Sequence, residues 1–155
     1  MHFIVQIILV ILCYDVHFYY FHRLLHTKWL YPWHKKHHEY THSVAKATFH
    51  ASHFENTLTG IGCFYPYVLF SDVSLYAVGV GSIVCTVKGV IRHDPGFIQL
   101  PILRLFFSDH HILHHKHQKY NYGTWWMDKI HGTVWPGWRR RLSRPKEVED
   151  MNKRL

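Results

Sequence analysis

Three short stretches carry eight of the 17 histidines in this 155-residue chain. They are "HRLLH" at 22–26, "HKKHH" at 34–38 and "HILHH" at 111–115, so the pattern H-x-x-H-H occurs twice. Imidazole binds iron, zinc, copper and nickel well, and ligand type alone does not choose among them. On a helix, residues four apart share a face. His22 and His26 therefore point the same way. Within each H-x-x-H-H the first histidine aligns with the third at i+4 and with the second at i+3. Each triad can grip a metal from one helix surface, and two such helices with the His22/His26 pair suffice to enclose a two-metal centre. Carboxylates are sparse in these clusters, unlike the Glu-x-x-His pattern of soluble di-iron bundles, which predicts a nitrogen-rich coordination sphere. One triad alone is as readily a solvated basic face. Two copies beside a pair point to metal.

What must position these residues is largely apolar. The chain has the length of one domain, with 48% hydrophobic, 17% aromatic and only 18% charged residues, which excludes a disordered tail. Cys13, Cys63 and Cys85 stand singly in apolar stretches without a C-x-x-C, so zinc-finger chemistry and a disulfide framework are not expected. The formal charge of +8 first suggests nucleic acid, but no nucleic-acid motif accompanies it, and no nucleic-acid partner is expected.

Apolar segments are expected at about 3–21, 57–70 and 73–91. The first, extended from "FIVQIILVILCY" to Phe21, makes a helix of roughly 28 Å, enough to cross most of a bilayer. It has no basic residue before it and no small-residue cleavage site after it, which favours a membrane segment over a cleaved signal peptide. The other two read as a hairpin, its first leg short and broken by Pro66, its turn at Ser71-Asp72. Each leg is marginal for a full crossing, so a re-entrant hairpin stays open beside a transmembrane one. The buried hairpin of a soluble bundle has the same composition. Charge decides for the membrane. If 22–46 and 88 onward share a side, all 18 Lys and Arg lie on it, the positive-inside bias that puts the histidines in the cytosol. The expected architecture is thus an all-α integral membrane protein. Short transmembrane or re-entrant helices carry a cytosolic, histidine-rich helical cap (22–56 and 92–138) that holds a di-metal site. A single domain spans 1–140, Ser108-Asp109 is the expected N-cap of the last histidine helix, and 139–155 is a basic, loosely ordered tail.

"HRLLH", "HKKHHEYT" and "HILHH…KYNYGTWWMDKIHGT" resemble, in order and spacing from Asp15 to Gly132, the fatty acid hydroxylase/sterol desaturase superfamily of membrane di-iron oxygenases. Pro32-Trp33, "HFE" at 53–55 and "RHDPGFIQLP" at 92–101 add to the resemblance. It implies as ligands His22, His26, His34, His37, His38, His53, His93, His111, His114 and His115. His110 and His117 flank the last cluster as supporting or solvated residues. His42, His50 and His131 are expected to be ordinary polar positions, and His2 and His17, near membrane ends, are not expected to be ligands. Glu39, Asp94, Asp109 and Asp128, each near a cluster, are candidates to orient the imidazoles. Members usually place more membrane-spanning sequence before the first cluster, whereas one segment precedes His22 here, so the resemblance implies a minimal or truncated member. A further histidine often found near the His93 position is also missing.

The resemblance implies two iron ions, with zinc able to replace them in purified protein, and O2-dependent hydroxylation or desaturation of a lipid: a sterol, fatty-acyl or sphingoid chain entering from the bilayer. No dinucleotide fingerprint is present. Electrons are therefore expected from NAD(P)H through a reductase and a cytochrome b5-type carrier, which a basic cytosolic face suits. The implied location in a eukaryote is the endoplasmic reticulum membrane. Tyr19, Tyr20, Phe21, Trp29, Trp33, Phe106, Phe107, Trp125 and Trp126 could line the substrate path or simply pack and anchor. Two alternatives are a membrane protein that binds or moves metal without catalysis, and an inactive relative of the oxygenases.

Overall fold

A computed structural model describes residues 1–40, 44–94 and 110–137, all of whose regular structure is helical. Two long helices organise it. Helix α1 (Phe3–Leu25) is 23 residues long, about 35 Å. It continues past the apolar stretch through His22 and Arg23, and the Arg23 cation suits the C-terminal end of the helix dipole. After the short α2 (Tyr31–His34), with Pro32 in its first turn, come 3-10 turns at His37–Glu39 and Ala45–Phe49.

The next leg starts earlier than the apolar pattern suggests. Helix α3 (His53–Ile61) begins at Ser52, whose hydroxyl accepts the Glu55 N–H at 3.2 Å, a capping interaction the S-x-x-E spacing encodes. A 3-10 turn at Gly62–Phe64 then separates α3 from α4 (Tyr65–Leu69), which has Pro66 in its first turn. Proline offers no N–H to continue the helix before it, so the leg is broken there. Helix α5 (Leu75–His93) is capped by Ser74, which accepts from Ala77 N–H at 3.2 Å. Two further helices, α6 (His110–His117) and α7 (Trp125–Ile130), complete the described residues. The expected cap at Ser108-Asp109, the tail from 139, Phe106, Phe107 and His42 lie outside them.

Contacts at each end fix the topology. The amino terminus lies 3.8 Å from Asp72, and Gln6 Oε1 accepts the Ser74 N–H at 2.9 Å, so α1 and α5 start side by side. They run parallel, and α3, the 3-10 turn and α4 return the chain between them. His17 on α1 bridges that return leg: Nε2 donates to the Leu58 carbonyl at 2.8 Å, and Nδ1 accepts from Tyr65 O–H at 2.9 Å. The backbones approach closely. A Cβ on Gly81 would come within 2.5 Å of Val10, and one on Gly62 within 2.7 Å of His17. Val10, Cys63, Val73, Val78 and Cys85 form the core beneath the histidines. Lys88 Nζ reaches both Asp15 oxygens at 2.9 and 3.0 Å, joining α1 to α5 by a buried ion pair.

Helices α1 and α5 are both long and apolar enough to cross a membrane, and less than a third of either is buried. Ile4, Ile8 and Leu12 on α1, with Tyr76, Ile83 and Val87 on α5, face outward. The helix surfaces are therefore apolar where a water-soluble bundle would carry its polar face.

Candidate metal centre

The parallel course of α1 and α5 brings their C-terminal ends together, and with them His22 and His93. Around these ends the turn at 34–39 and helix α6 close in. Nine imidazoles converge in two groups, each with one ring nitrogen per residue within 4.8 Å of the others: His22, His26, His34, His38 and His114 in one, His37, His93, His111 and His115 in the other. All are buried except His26, which is partly so.

The triads do not each serve one group. In both, the first and third histidines stay together while the middle one crosses over: His34 and His38 leave His37 to the second group, and His111 and His115 leave His114 to the first. For 111–115 on α6, and for His22/His26 at the end of α1, helix geometry explains it; at 34–38 the same split arises where α2 ends at His34 and a 3-10 turn begins at His37. At about 100° per residue, i+4 lies about 40° round from i, whereas i+3 lies about 60° round in the opposite sense. The i, i+4 pairs, including His22/His26, each point into one group. The i+3 residue faces its neighbour.

Backbone carbonyls set the tautomers. The Nδ1–H of His114 donates to the Tyr120 carbonyl at 2.7 Å, that of His115 to Tyr40 at 3.2 Å, that of His93 to Gly89 at 2.8 Å, and that of His22 to Tyr122. His34 Nδ1 pairs with Glu55 Oε1 at 2.8 Å. A carbonyl can only accept, so His22, His93, His114 and His115 keep their proton on Nδ1 and turn an Nε2 lone pair inward. There the Nε2 atoms crowd against those of neighbouring rings. His22 and His34 Nε2 are 3.0 Å apart, His26 and His114 2.9 Å, His34 and His38 2.9 Å, His26 and His34 3.1 Å, and His37 and His93 3.3 Å. In the second group His115 Nε2 and both nitrogens of His111 are buried without a hydrogen-bond partner among the described residues.

Such an arrangement has a physical demand. Where two such lone pairs face they repel, and burying ring nitrogens unpartnered is costly. A cation between them removes both penalties. Two nitrogens each about 2.1 Å from one ion and at right angles lie about 3.0 Å apart, the separation found here. The donor set fits two metal ions of the kind imidazole prefers.

Protons are poor substitutes for those cations. Burial, then the charges of neighbouring histidines, holds His26 at about 3 and His38 at about 4, and keeps His34, His37, His111, His114 and His115 well below the ordinary imidazole range. Burial likewise pushes the Glu55 carboxyl up to about 8. A cation bound beyond His34 would draw that carboxyl back toward the ionised form.

The remaining named residues fall outside the groups. His53 is exposed at the first position of α3. It is Glu55, two residues on, that turns inward. Asp128, fully buried, orders the loop that supplies the Tyr120 and Tyr122 carbonyls: Oδ1 accepts Tyr122 N–H at 2.9 Å and Thr133 O–H at 2.7 Å, and Oδ2 accepts Gly123 N–H at 2.8 Å and pairs with His110 Nε2 at 3.0 Å. Asn121, at φ +59°, gives Nδ2–H to the His110 carbonyl and takes Trp135 N–H on Oδ1. Of the other acids, Glu39 is exposed and bonds His50, Asp94 caps α5, and Asp109 lies outside the described residues. His117 stacks on Trp135 and His131 bonds Tyr20. The signal that could have found Glu55 is its S-x-x-E spacing. The tautomer-setting carbonyls carry no side-chain signal at all.

A cavity of about 70 Å³ opens beside the second group, between α1, α3 and α5. Tyr14, Phe18 and Cys85 line its deeper wall, with Glu55, His37, His93 and His111 at the metal end.

The fatty acid hydroxylase family model matches residues 7–133. Methylsterol monooxygenase 1 of Gallus gallus is 34% identical over 130 residues, covering 77% of this chain and 42% of the relative. Methylsterol monooxygenase 1 of Rattus norvegicus is 32% identical over 126 residues, covering 77% of this chain and 43% of the relative. The chain thus spans less than half the length of these relatives. No solved structure matches it at a significant level.

Proposed function

The chain belongs to the fatty acid hydroxylase family, and on that premise we propose that it is a membrane-embedded di-iron oxygenase that hydroxylates or desaturates a lipid. The observation that carries the reading is the convergence of nine imidazoles, eight of them buried, whose inward nitrogens lie about 3 Å apart in several pairs. In this reading His22, His26, His34, His38 and His114 hold one ion, and His37, His93, His111 and His115 the other. His53 is left out because it is exposed. When bound, the irons supply the oxidising power to activate O2 and break an unactivated C–H bond, which no side chain possesses.

The chain's own residues do the rest. The Tyr120, Tyr122, Tyr40 and Gly89 carbonyls hold His114, His22, His115 and His93 in the Nδ1–H form, so the Nε2 of each stays available. The cavity admits the reacting end of the lipid beside the second group, which has one imidazole fewer, and its walls of Tyr14 and Phe18 keep bulk water from that end. The outward apolar faces of α1 and α5 sit in the bilayer, and the histidine cap lies at its cytosolic side, in a eukaryote at the endoplasmic reticulum. Exposed Lys28, Lys35, Lys36, Lys116 and Lys119 surround the cap. They form a face that suits an acidic electron carrier of the cytochrome b5 type, fed by an NAD(P)H-dependent reductase. The similarity to methylsterol monooxygenases makes a methylsterol the first substrate to test.

The test is metal content of the detergent-purified protein, followed by electron-dependent turnover. Two irons per chain, and a methylsterol oxidised only with carrier, reductase, NAD(P)H and O2 together, is the expected result. Two metals with no turnover on sterol, fatty-acyl or sphingoid lipids would favour metal binding without catalysis. One metal or none would overturn the reading.

A further inference from the structure

Two buried thiols lie beneath the metal centre and take no part in holding it. Cys63, in the 3-10 turn after α3, and Cys85, on α5, are each 3% exposed and share one core cluster. Both are free, and the main polar contact of each thiol is the other. Cys85 also lines the cavity that ends at His37, His93 and His111. On the same wall stands Tyr14, packed against the same cluster, its phenol without a hydrogen bond among the described residues. Tyr14 stacks on Phe18 with ring centroids 5.9 Å apart. Phe18 in turn lies 5.0 Å from the His22 ring and 6.1 Å from that of His111. One aromatic ring thus separates the phenol from imidazoles of both groups. Buried thiols are ordinarily inert, because no oxidant reaches them. Here an oxidant arises inside the fold. A centre able to break an unactivated C–H bond, charged with O2 while the cavity is empty, draws electrons from the nearest group that yields them. Phenols and thiols yield them more readily than imidazole rings or aliphatic C–H bonds.

We propose that Tyr14, Cys85 and Cys63 form an internal reductant that spares the histidines when O2 is activated without a substrate, and that its product is a Cys63–Cys85 disulfide. This rests on the oxygenase reading and goes beyond it. Tyr14 gives up an electron and its phenolic proton toward the centre, and regains both from the Cys85 thiol. A second round takes an electron and a proton from Cys63, and the two sulfurs join. Two S–H bonds break, one S–S bond forms, and the phenol ends unchanged. The two electrons and two protons so released join two electrons from the carrier and two protons from solvent. Together they reduce one O2 to two molecules of water. The thiols are spent in place of a ligand imidazole.

The experiment runs the iron-loaded full chain with carrier, reductase, NAD(P)H and O2, without lipid and with catalase to remove free peroxide. Free thiols are then alkylated, and peptide mass spectrometry locates any disulfide. Cys63 and Cys85 are expected to become linked. Cys13, half-buried beside Leu12, Val16 and Phe21 in a separate groove, should stay a thiol. That order inverts exposure, as an oxidant arising inside requires and one arriving from solution does not. A lipid that is turned over should suppress the linkage, Tyr14→Phe should slow it severalfold, and the zinc-loaded chain should not form it. In Cys63→Ser no such disulfide can form, so oxygen added to the histidine peptides should rise severalfold at unchanged starting iron content. Oxidation of Cys13 ahead of the pair, or equal linkage in the zinc-loaded chain, would overturn the proposal. An unchanged rate in Tyr14→Phe would overturn the part given to Tyr14. Lipid turnover with both thiols left reduced in its absence would overturn the proposal and leave the oxygenase reading standing. An iron-loaded chain that consumes no O2 with or without lipid would overturn both.

Discussion

The metal-free protein should be acid-labile in a particular window. A buried histidine held below its ordinary pKa stays neutral in the folded chain but protonates in the unfolded one. Its contribution is complete above the unfolded value of about 6.5 and is lost as pH falls toward the folded value. For His38, held at about 4 by burial and then by His93, the loss is about 3 kcal/mol once pH is below that value. Between pH 7 and 5 each such ring costs about 2 kcal/mol. His34, His37, His38, His111, His114 and His115 are all buried and all depressed in the same direction. Their sum is of order 10 kcal/mol, an upper bound because the first charged ring opens the cluster to water. A whole domain has about 5–15 kcal/mol. Chelator-stripped protein in detergent should therefore lose its cooperative thermal transition between pH 7 and 5. Protein reloaded with zinc should keep its transition to lower pH, because each bound nitrogen is closed to protons. A stripped protein whose midpoint moves by only a few degrees over that range would refute the reasoning.

Three further outcomes follow from the geometry. His37→Ala with His115→Ala should remove one of two metals per chain, and His26→Ala with His38→Ala the other, read by metal analysis; loss of both in either case, or of neither, would deny the split. Asp128→Asn cannot accept at both oxygens, so it should cost about 2–4 kcal/mol of thermal stability and reduce metal retention by freeing the loop behind His22 and His114. Lys88→Met strands the buried Asp15 charge and should cost about 3–5 kcal/mol, most of it recovered in the double variant with Asp15→Leu; no recovery would mean that the pair is not what joins α1 to α5.

The histidines were legible because ligation demands a residue type and helical spacing demands a period, and both are written in one dimension. That also explains the two apolar helices and the break at Pro66. The partition between the groups was harder. The alignment of i with both i+3 and i+4 suggested triads that act as units, yet the two offsets lie on opposite sides of the first histidine, and packing from two sides turns that difference into two sites. His53 drew notice because it is a histidine near a family-like stretch. The start of α3 at Ser52 instead leaves its first residue outside and brings the fourth position of the capping motif, Glu55, inward. The carbonyls of Tyr40, Tyr120 and Tyr122 could not be foreseen, since every residue has one and only the loop path, held by Asp128 and Asn121, selects them.

The interleaving has a consequence for how the centre holds together. Helix α6 gives His114 to one group and His111 and His115 to the other, and the turn at 34–38 divides in the same way. Helix α1 serves only the first group and α5 only the second, while α6 and the turn at 34–38 tie the two groups together. A slide of α5 against α1 moves His93 relative to His22, and so displaces the two groups against each other. The Asp15–Lys88 pair sits on that interface, two helical turns before His22 and five residues before His93. A buried ion pair adds little net stability over an apolar one, but it tolerates few registers. Its value here lies in register: it sets the relative height of two helices whose C-terminal histidines must meet to within the length of a metal–nitrogen bond.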